Sequence, residues 1–351
     1  MKNLIKSIVV LFFLGIIACD PNETIAPIPP SDGDLIEPNV GGPDQPNQVF
    51  IDLSKNTSTT VSRDNWDFGF ANDGNFRVII NYSAYMVARP TDQTDLAMVT
   101  SNLVTPEYKA VTVVAPEGSI DWIDNPNGNI TETAIASVSS TDSENLVYVI
   151  NRGQLESGAE LTERGFIKIK VTRSGDDYVI TYGEIDATTF NSVTVPKNAG
   201  YNFTFLSLDN GIVNIEPEKS LWDIGFTTTS NYFFDHTNNV TVPYRFKDIV
   251  LTNKGNVKVS SVAVTDVVNY AEYTLTDAAA LDMQDDRLGI GSTWRNFEFA
   301  TYSYVVNPEI FYIIEDTDGN TYKLAFTRMN CISVECAGDR GYPEFTYELL
   351  K

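Results

Sequence analysis

Apolar and polar positions alternate over most of this chain, and the apolar ones are largely β-branched or aromatic. Residues 49–53, 77–80, 146–150, 166–171 and 178–185 read as strands on that pattern, as do 201–208, 244–251, 257–262, 311–314 and 322–326. Turn chemistry separates them: Asp73-Gly74, Ser174-Gly175-Asp176, Asp209-Asn210-Gly211, Lys254-Gly255-Asn256 and Asp318-Gly319-Asn320. Helical spacing is scarce. Its best instance is 276–285, with Thr276 as N-cap ahead of Ala278-Ala279-Ala280. The pattern predicts an all-β fold with few short helices.

One stretch breaks the alternation. Residues 8–17 are apolar apart from Gly15, they follow Lys2 and Lys6, and they end in Ala18-Cys19. A run of ten is too short to span a bilayer, which takes about 20 residues, and it suits a signal peptide over residues 1–18. The residues leading into Cys19 resemble the lipobox of bacterial lipoproteins, in which that cysteine carries the lipid anchor. Residues 20–48 hold seven of the 16 prolines, six acidic residues and no Lys or Arg. Such a composition predicts that 19–48 is a lipidated cysteine followed by a disordered linker.

The strands carry a repeat. Trp66-Asp67-Phe68-Gly69-Phe70 returns as Trp222-Asp223-Ile224-Gly225-Phe226, 156 positions later. Leu53-Ser54 precedes the first copy and Leu206-Ser207 the second. A hairpin through Gly175 follows the first, and one through Gly319 follows the second. The expectation is an internal duplication, with one β unit over 49–200 and a related one over 201–351. The tryptophan itself reads as core, since a strand that buries a large ring needs no chemistry to explain it.

Charge and composition then narrow the function. The net charge is −23, and loss of Lys2 and Lys6 with the signal makes it more negative still. A chain this acidic, with no basic stripe, does not bind nucleic acid by electrostatics. Cys331 and Cys336 are the only cysteines after Cys19, and in an exported protein they are expected to form a disulfide. The G-x-S-x-G, H-E-x-x-H and P-loop signatures are absent, and His236 is the only histidine. The 47 acidic residues leave a glycosidase-like carboxylate pair as the main enzymatic reading, and no pair stands out. The chain therefore reads as a binding protein and not as an enzyme.

The C-terminal half resembles the HmuY haem-binding lipoproteins of Bacteroidetes. The resemblance rests on Leu221-Trp222-Asp223-Ile224, on Phe311-Tyr312-Ile313-Ile314 with its Asp316-Thr317-Asp318-Gly319-Asn320 turn, and on the closing strand Pro343-Glu344-Phe345-Thr346-Tyr347. It covers residues 200–351, and the repeat extends it more weakly over 45–200. It implies a surface lipoprotein of the outer membrane that binds haem or a related porphyrin and passes it to a TonB-dependent outer-membrane receptor. It also implies an iron held by two His or two Met on loops. In this chain Met283 falls nearest the first ligand position. Residues 294–302, where the second belongs, contain neither His nor Met. Tyr302 or Tyr304 would serve there as tyrosinate, with His236 as an outside choice. The alternative is a non-enzymatic surface lipoprotein for a glycan, peptide or protein partner, without haem ligation.

Overall fold

The structure is a computed structural model that describes residues 28–103, 119–157 and 160–351. The signal segment, Cys19 and the linker up to residue 27 lie outside the described residues. Every ladder among the described residues is antiparallel.

Four sheets carry the fold. The first runs in the order β1 (Gly33–Ile36), β22 (Arg340–Leu349), β21 (Thr321–Asn330), β20 (Ile310–Glu315), β17 (Lys258–Ala263). The second runs β12 (Asn191–Val195), β11 (Asp177–Glu184), β10 (Phe166–Ser174), β7 (Val147–Asn151), β6 (Val87–Pro90). The third is β14 (Gly211–Val213), β13 (Phe203–Ser207), β4 (Phe68–Ala71), β5 (Val78–Ile80). The fourth is β16 (Val240–Thr252), β15 (Ile224–Asp235), β2 (Asn47–Asp52), β3 (Thr57–Ser62). Two hairpins stand apart from these sheets: β8 (Gln154–Ser157) with β9 (Glu160–Glu163), and β18 (Arg295–Glu298) with β19 (Ser303–Val306).

Side-chain alternation stacks the sheets into four layers. Val78 and Ile80 of β5 face Ile167, Ile169 and Ile180 of the second sheet, while Ile79 between them faces the other way. Val49 and Ile51 of β2 face Tyr312, Ile314 and Tyr347 of the first sheet, while Phe50 faces away. Phe50, Ile79, Phe205, Ile249 and Leu251 meet in the middle around Trp66 and Trp222. The layer order is second, third, fourth, first sheet. Strands β2, β4 and β5 of the two inner sheets are buried on both faces, which explains why they read as near-continuous apolar runs.

Residues 31–351 form one compact unit, so the expected boundary at 200/201 is not a domain boundary. The two halves exchange strands. β4 of the first half pairs with β13 of the second, and β15 of the second pairs with β2 of the first. At the edges, β12 closes on β11 and β1 closes on β22. The two five-stranded sheets share one order, which aligns β10–β11 with β21–β22. The sequence alignment of the Gly175 and Gly319 hairpins is therefore off by one strand.

The Trp-Asp motif is where the halves lock. Asp223 Oδ2 accepts the Leu53 N–H at 2.7 Å, and Asp67 Oδ2 accepts the Leu208 N–H at 2.9 Å. Each Asp N–H in turn donates across to the other half, to Ile51 O at 2.7 Å from Asp223 and to Leu206 O at 2.8 Å from Asp67. Asn253 and Asn81 bind the tryptophan carbonyls at 2.8 and 2.7 Å, one per motif. Asp67 also holds Arg152 at 3.1 Å and Arg164 at 2.9 Å, and it is fully buried.

Two further expectations change. The helix is a single turn, α1 (Leu275–Ala278), and its N-cap is Thr274, not Thr276. Thr274 and Asp277 close a capping box, which fixes the start two residues earlier than the alanine run suggested. The linker is not disordered over its second part. β1 pairs with β22, Val40 is 4% exposed, and Gln45 is buried against Asp248. Order there comes from backbone pairing along a sheet edge, which a proline-rich, acidic composition does not reveal. The Cys331–Cys336 disulfide is present and closes the β21–β22 connection.

A chain beginning at Val49 loses β1, Val40 and the Gln45 contact to Asp248. Burying one valine contributes about 1.5–3 kcal/mol by itself. The Val49 form should therefore be at least about 3 kcal/mol less stable than a form beginning at Ser31, as measured by urea unfolding. Equal midpoints would return residues 31–48 to the status of a passive spacer.

Candidate functional site

The structure separates the residues that the sequence proposed as iron ligands. Met283 is half-buried and packs with Tyr273, Phe311 and Leu281 on one face of the first sheet. Tyr304 packs on the opposite face, with Tyr312 and Ile314. Phe311 and Tyr312 are neighbours on β20 and point to opposite sides, so the sheet stands between the two candidates. Met283 and Tyr304 therefore do not form a ligand pair. His236 is exposed at the tip of the β15–β16 hairpin, edge-on to Phe234 at 4.8 Å. Among the described residues, no group of three or more His, Cys, Asp or Glu is placed to hold a metal ion.

Tyr302 stands elsewhere, at the tip of the β18–β19 hairpin with φ of 53°. This hairpin is an aromatic cluster. Phe297 lies 5.1 Å from Phe299 and 5.2 Å from both Tyr302 and Tyr304, all edge-on. Phe299 is 83% and Tyr302 82% exposed, so about half of the cluster faces solvent. Arg295 and Arg340 sit over the Tyr304 ring at 4.3 and 5.0 Å at the base of the hairpin, and Arg340 is ion-paired with the buried Asp248. Arg295 Nε has no hydrogen-bond partner. The hairpin offers flat apolar faces and an exposed phenol, with the Arg295 guanidinium beneath them.

A second feature lies where the middle layers open. A cleft of about 850 Å³ is lined by segments from both halves: 71–82, 124–133, 199–203, 216–222, 252–255 and 285–287. Arg287 lies over the Tyr82 ring at 4.4 Å and donates to Pro126 O at 3.3 Å. Asp124 accepts N–H groups of Ile80 at 2.8 Å and Ala134 at 3.0 Å. Glu216 is buried, with Oε2 unpartnered, and Trp222 Nε1 is unpartnered too. Burial pushes both carboxyls up to about 7, with Arg287 opposing the shift. Sequence reading missed these residues because they come from six separate segments and belong to no motif. The one local signal was the turn-rich run Asn125-Pro126-Asn127-Gly128-Asn129.

No helix among the described residues is long and apolar enough to cross a membrane. A family model described as HmuY protein matches residues 44–347, and so takes in both halves rather than the C-terminal one alone. No curated protein and no solved structure matches the chain.

The cleft carboxyls make stability depend on pH. Asp124 and Glu216 keep a proton in the folded state at pH values where the unfolded chain has lost it. Their contribution is full below about pH 4 and is lost as pH rises through about 7. Each group supplies up to about 1.4 kcal/mol per pH unit inside that window. The unfolding midpoint should rise between pH 8 and pH 5.5, and Glu216→Gln should flatten the profile. A midpoint that is flat or falling over this range in the parent would show that both carboxyls are ionised in the fold.

Proposed function

The chain belongs to the HmuY family, and on that premise we propose that it binds haem or a related porphyrin at the β18–β19 hairpin. That family is one of binding proteins and not of enzymes. The observation that carries the proposal is the exposed aromatic cluster of Phe297, Phe299 and Tyr302 with Arg295 and Arg340 at its base. A porphyrin is a flat apolar disc with carboxylates on one edge. Aromatic faces stack on the disc, and the Arg295 guanidinium supplies a cation for a carboxylate, Arg340 being engaged by Asp248. The exposed Tyr302 phenol suits ferric iron as tyrosinate, which is a known single axial ligand. These residues fit one tyrosine ligand and a stacked macrocycle. They do not fit a His or Met pair.

In this reading the chain's own task is to hold, orient and release its ligand. Because Phe299 and Tyr302 project into solvent, a partner can reach the ligand without the four-layer stack opening. The partner is a TonB-dependent outer-membrane receptor, and the protein is held at the outer-membrane surface through lipidated Cys19.

Hemin titrated into the mature chain bearing Cys19→Ser should give a Soret band. Tyr302→Phe should shift that band and lower affinity at least tenfold, while Met283→Ala and His236→Ala leave both unchanged. If Met283→Ala or His236→Ala abolishes the band and Tyr302→Phe does not, the site is not on this hairpin. No Soret band in the parent would remove haem as the ligand.

The anchor has its own test. Cys19→Ser should move the protein from the membrane fraction to the soluble fraction, with an unchanged unfolding midpoint. Retention in the membrane fraction would mean that something other than Cys19 holds it there.

A further inference from the structure

The two Trp-Asp strands are built alike, and one difference between them leaves a site open. Phe205 meets Trp66 edge-on at 4.9 Å, and Phe50 meets Trp222 in the same way at 5.1 Å. Two residues before Phe50, on the same face of its strand, Gln48 accepts the Trp66 indole N–H at 3.3 Å. The corresponding position before Phe205 is Phe203, which has no side-chain acceptor. Trp222 Nε1 is accordingly left without a partner, and both Phe203 and Trp222 line the cleft of about 850 Å³. Glu216 lines it as well, 9% exposed, with Oε2 unpartnered.

We infer that this cleft is a binding site for a neutral oligosaccharide, separate from the aromatic hairpin. A buried N–H without an acceptor and a buried carboxyl oxygen without a donor are each costly, and a ligand that meets both recovers that cost. A hydroxyl group accepts and donates, so a ligand rich in hydroxyls meets both needs with one kind of group. The walls fit the rest of such a molecule. Phe203 and Trp222 contribute aromatic surface to the wall, and Asn127 and Asn129 add amide groups to it. Charge points the same way. Asp73, Asp124, Glu216 and Asp285 stand against Lys219, Lys254 and Arg287, which leaves the lining close to neutral. A porphyrin dicarboxylate finds no matched cationic edge here. The volume lies within the range of about 300–1,000 Å³ usual for small-molecule sites.

The test uses the mature chain bearing Cys19→Ser, titrated calorimetrically with maltotriose, cellotriose, laminaritriose and chitotriose. At least one should bind. Gly74→Trp should then lower affinity at least tenfold by filling the cleft. An added Cβ at Gly74 meets nothing within 4 Å, so the first atom of the new side chain has room, and an unchanged unfolding midpoint checks that the variant folds. Trp222→Phe, which keeps a ring but removes the indole N–H, and Glu216→Gln should each lower it at least fivefold. Hemin binding should be the same in all three variants, and hemin should not displace the sugar. Absence of binding by all four trisaccharides at millimolar concentration overturns the inference. So does unchanged affinity in Gly74→Trp, and so does displacement by hemin, which would make the cleft part of the porphyrin site.

Discussion

Two buried carboxylates hold this fold together across its sequence halves. Asp67 and Asp223 each take a backbone N–H from a strand more than 140 residues away in the chain, and each gives its own N–H back to that strand. A buried carboxylate is tolerated only when donors surround it. Here one backbone donor to each comes from the other half, beside same-half donors: Arg152 and Arg164 on Asp67, and the Thr317 N–H on Asp223. Neither carboxyl has its full set of donors until both halves are in place. The same requirement explains why the inner sheets are mixed, why residues 31–351 behave as one unit, and why the cleft draws its lining from both halves.

The sequence made individual strands legible because alternation has a period of two and needs only local information. Val78-Ile79-Ile80 and Val49-Phe50-Ile51 read correctly as strands. What local information lacks is the identity of the pairing partner. The Trp-Asp repeat marked two equivalent strands and gave no hint that each would pair with the opposite half, so a boundary at 200/201 looked natural. The linker failed for a related reason: β1 owes its order to backbone hydrogen bonds with β22, and its side chains give little sign of them. The capping box at Thr274 was in the sequence, but the alanine run four residues on drew the helix away from it.

The candidate site was less legible still. Met283 and Tyr304 are 21 positions apart and looked like partners, yet the strand between them, β20, turns their neighbours Phe311 and Tyr312 to opposite faces. Closeness in sequence does not choose the face of a sheet. Tyr302 was singled out as a phenol from its place in the sequence, but its exposure beside Phe297 and Phe299 at the tip of the β18–β19 hairpin could not be read there. Glu216, Asp124 and Arg287 carry no local signature, because a cleft assembled from six segments has none to carry.

β1 has a mechanical consequence. It lies antiparallel to β22, so the earliest strand of the folded unit is fastened to the last. A pull on the chain ahead of Ser31 is met first by the Ser31 N–H bond to Ser54 O and by the Asp32 contacts with Leu349 and Lys351. Only then does it reach the four-residue ladder of Gly33 to Ile36 opposite Phe345 to Glu348, so tension on that end is shared between the outer sheet and the turn after β2.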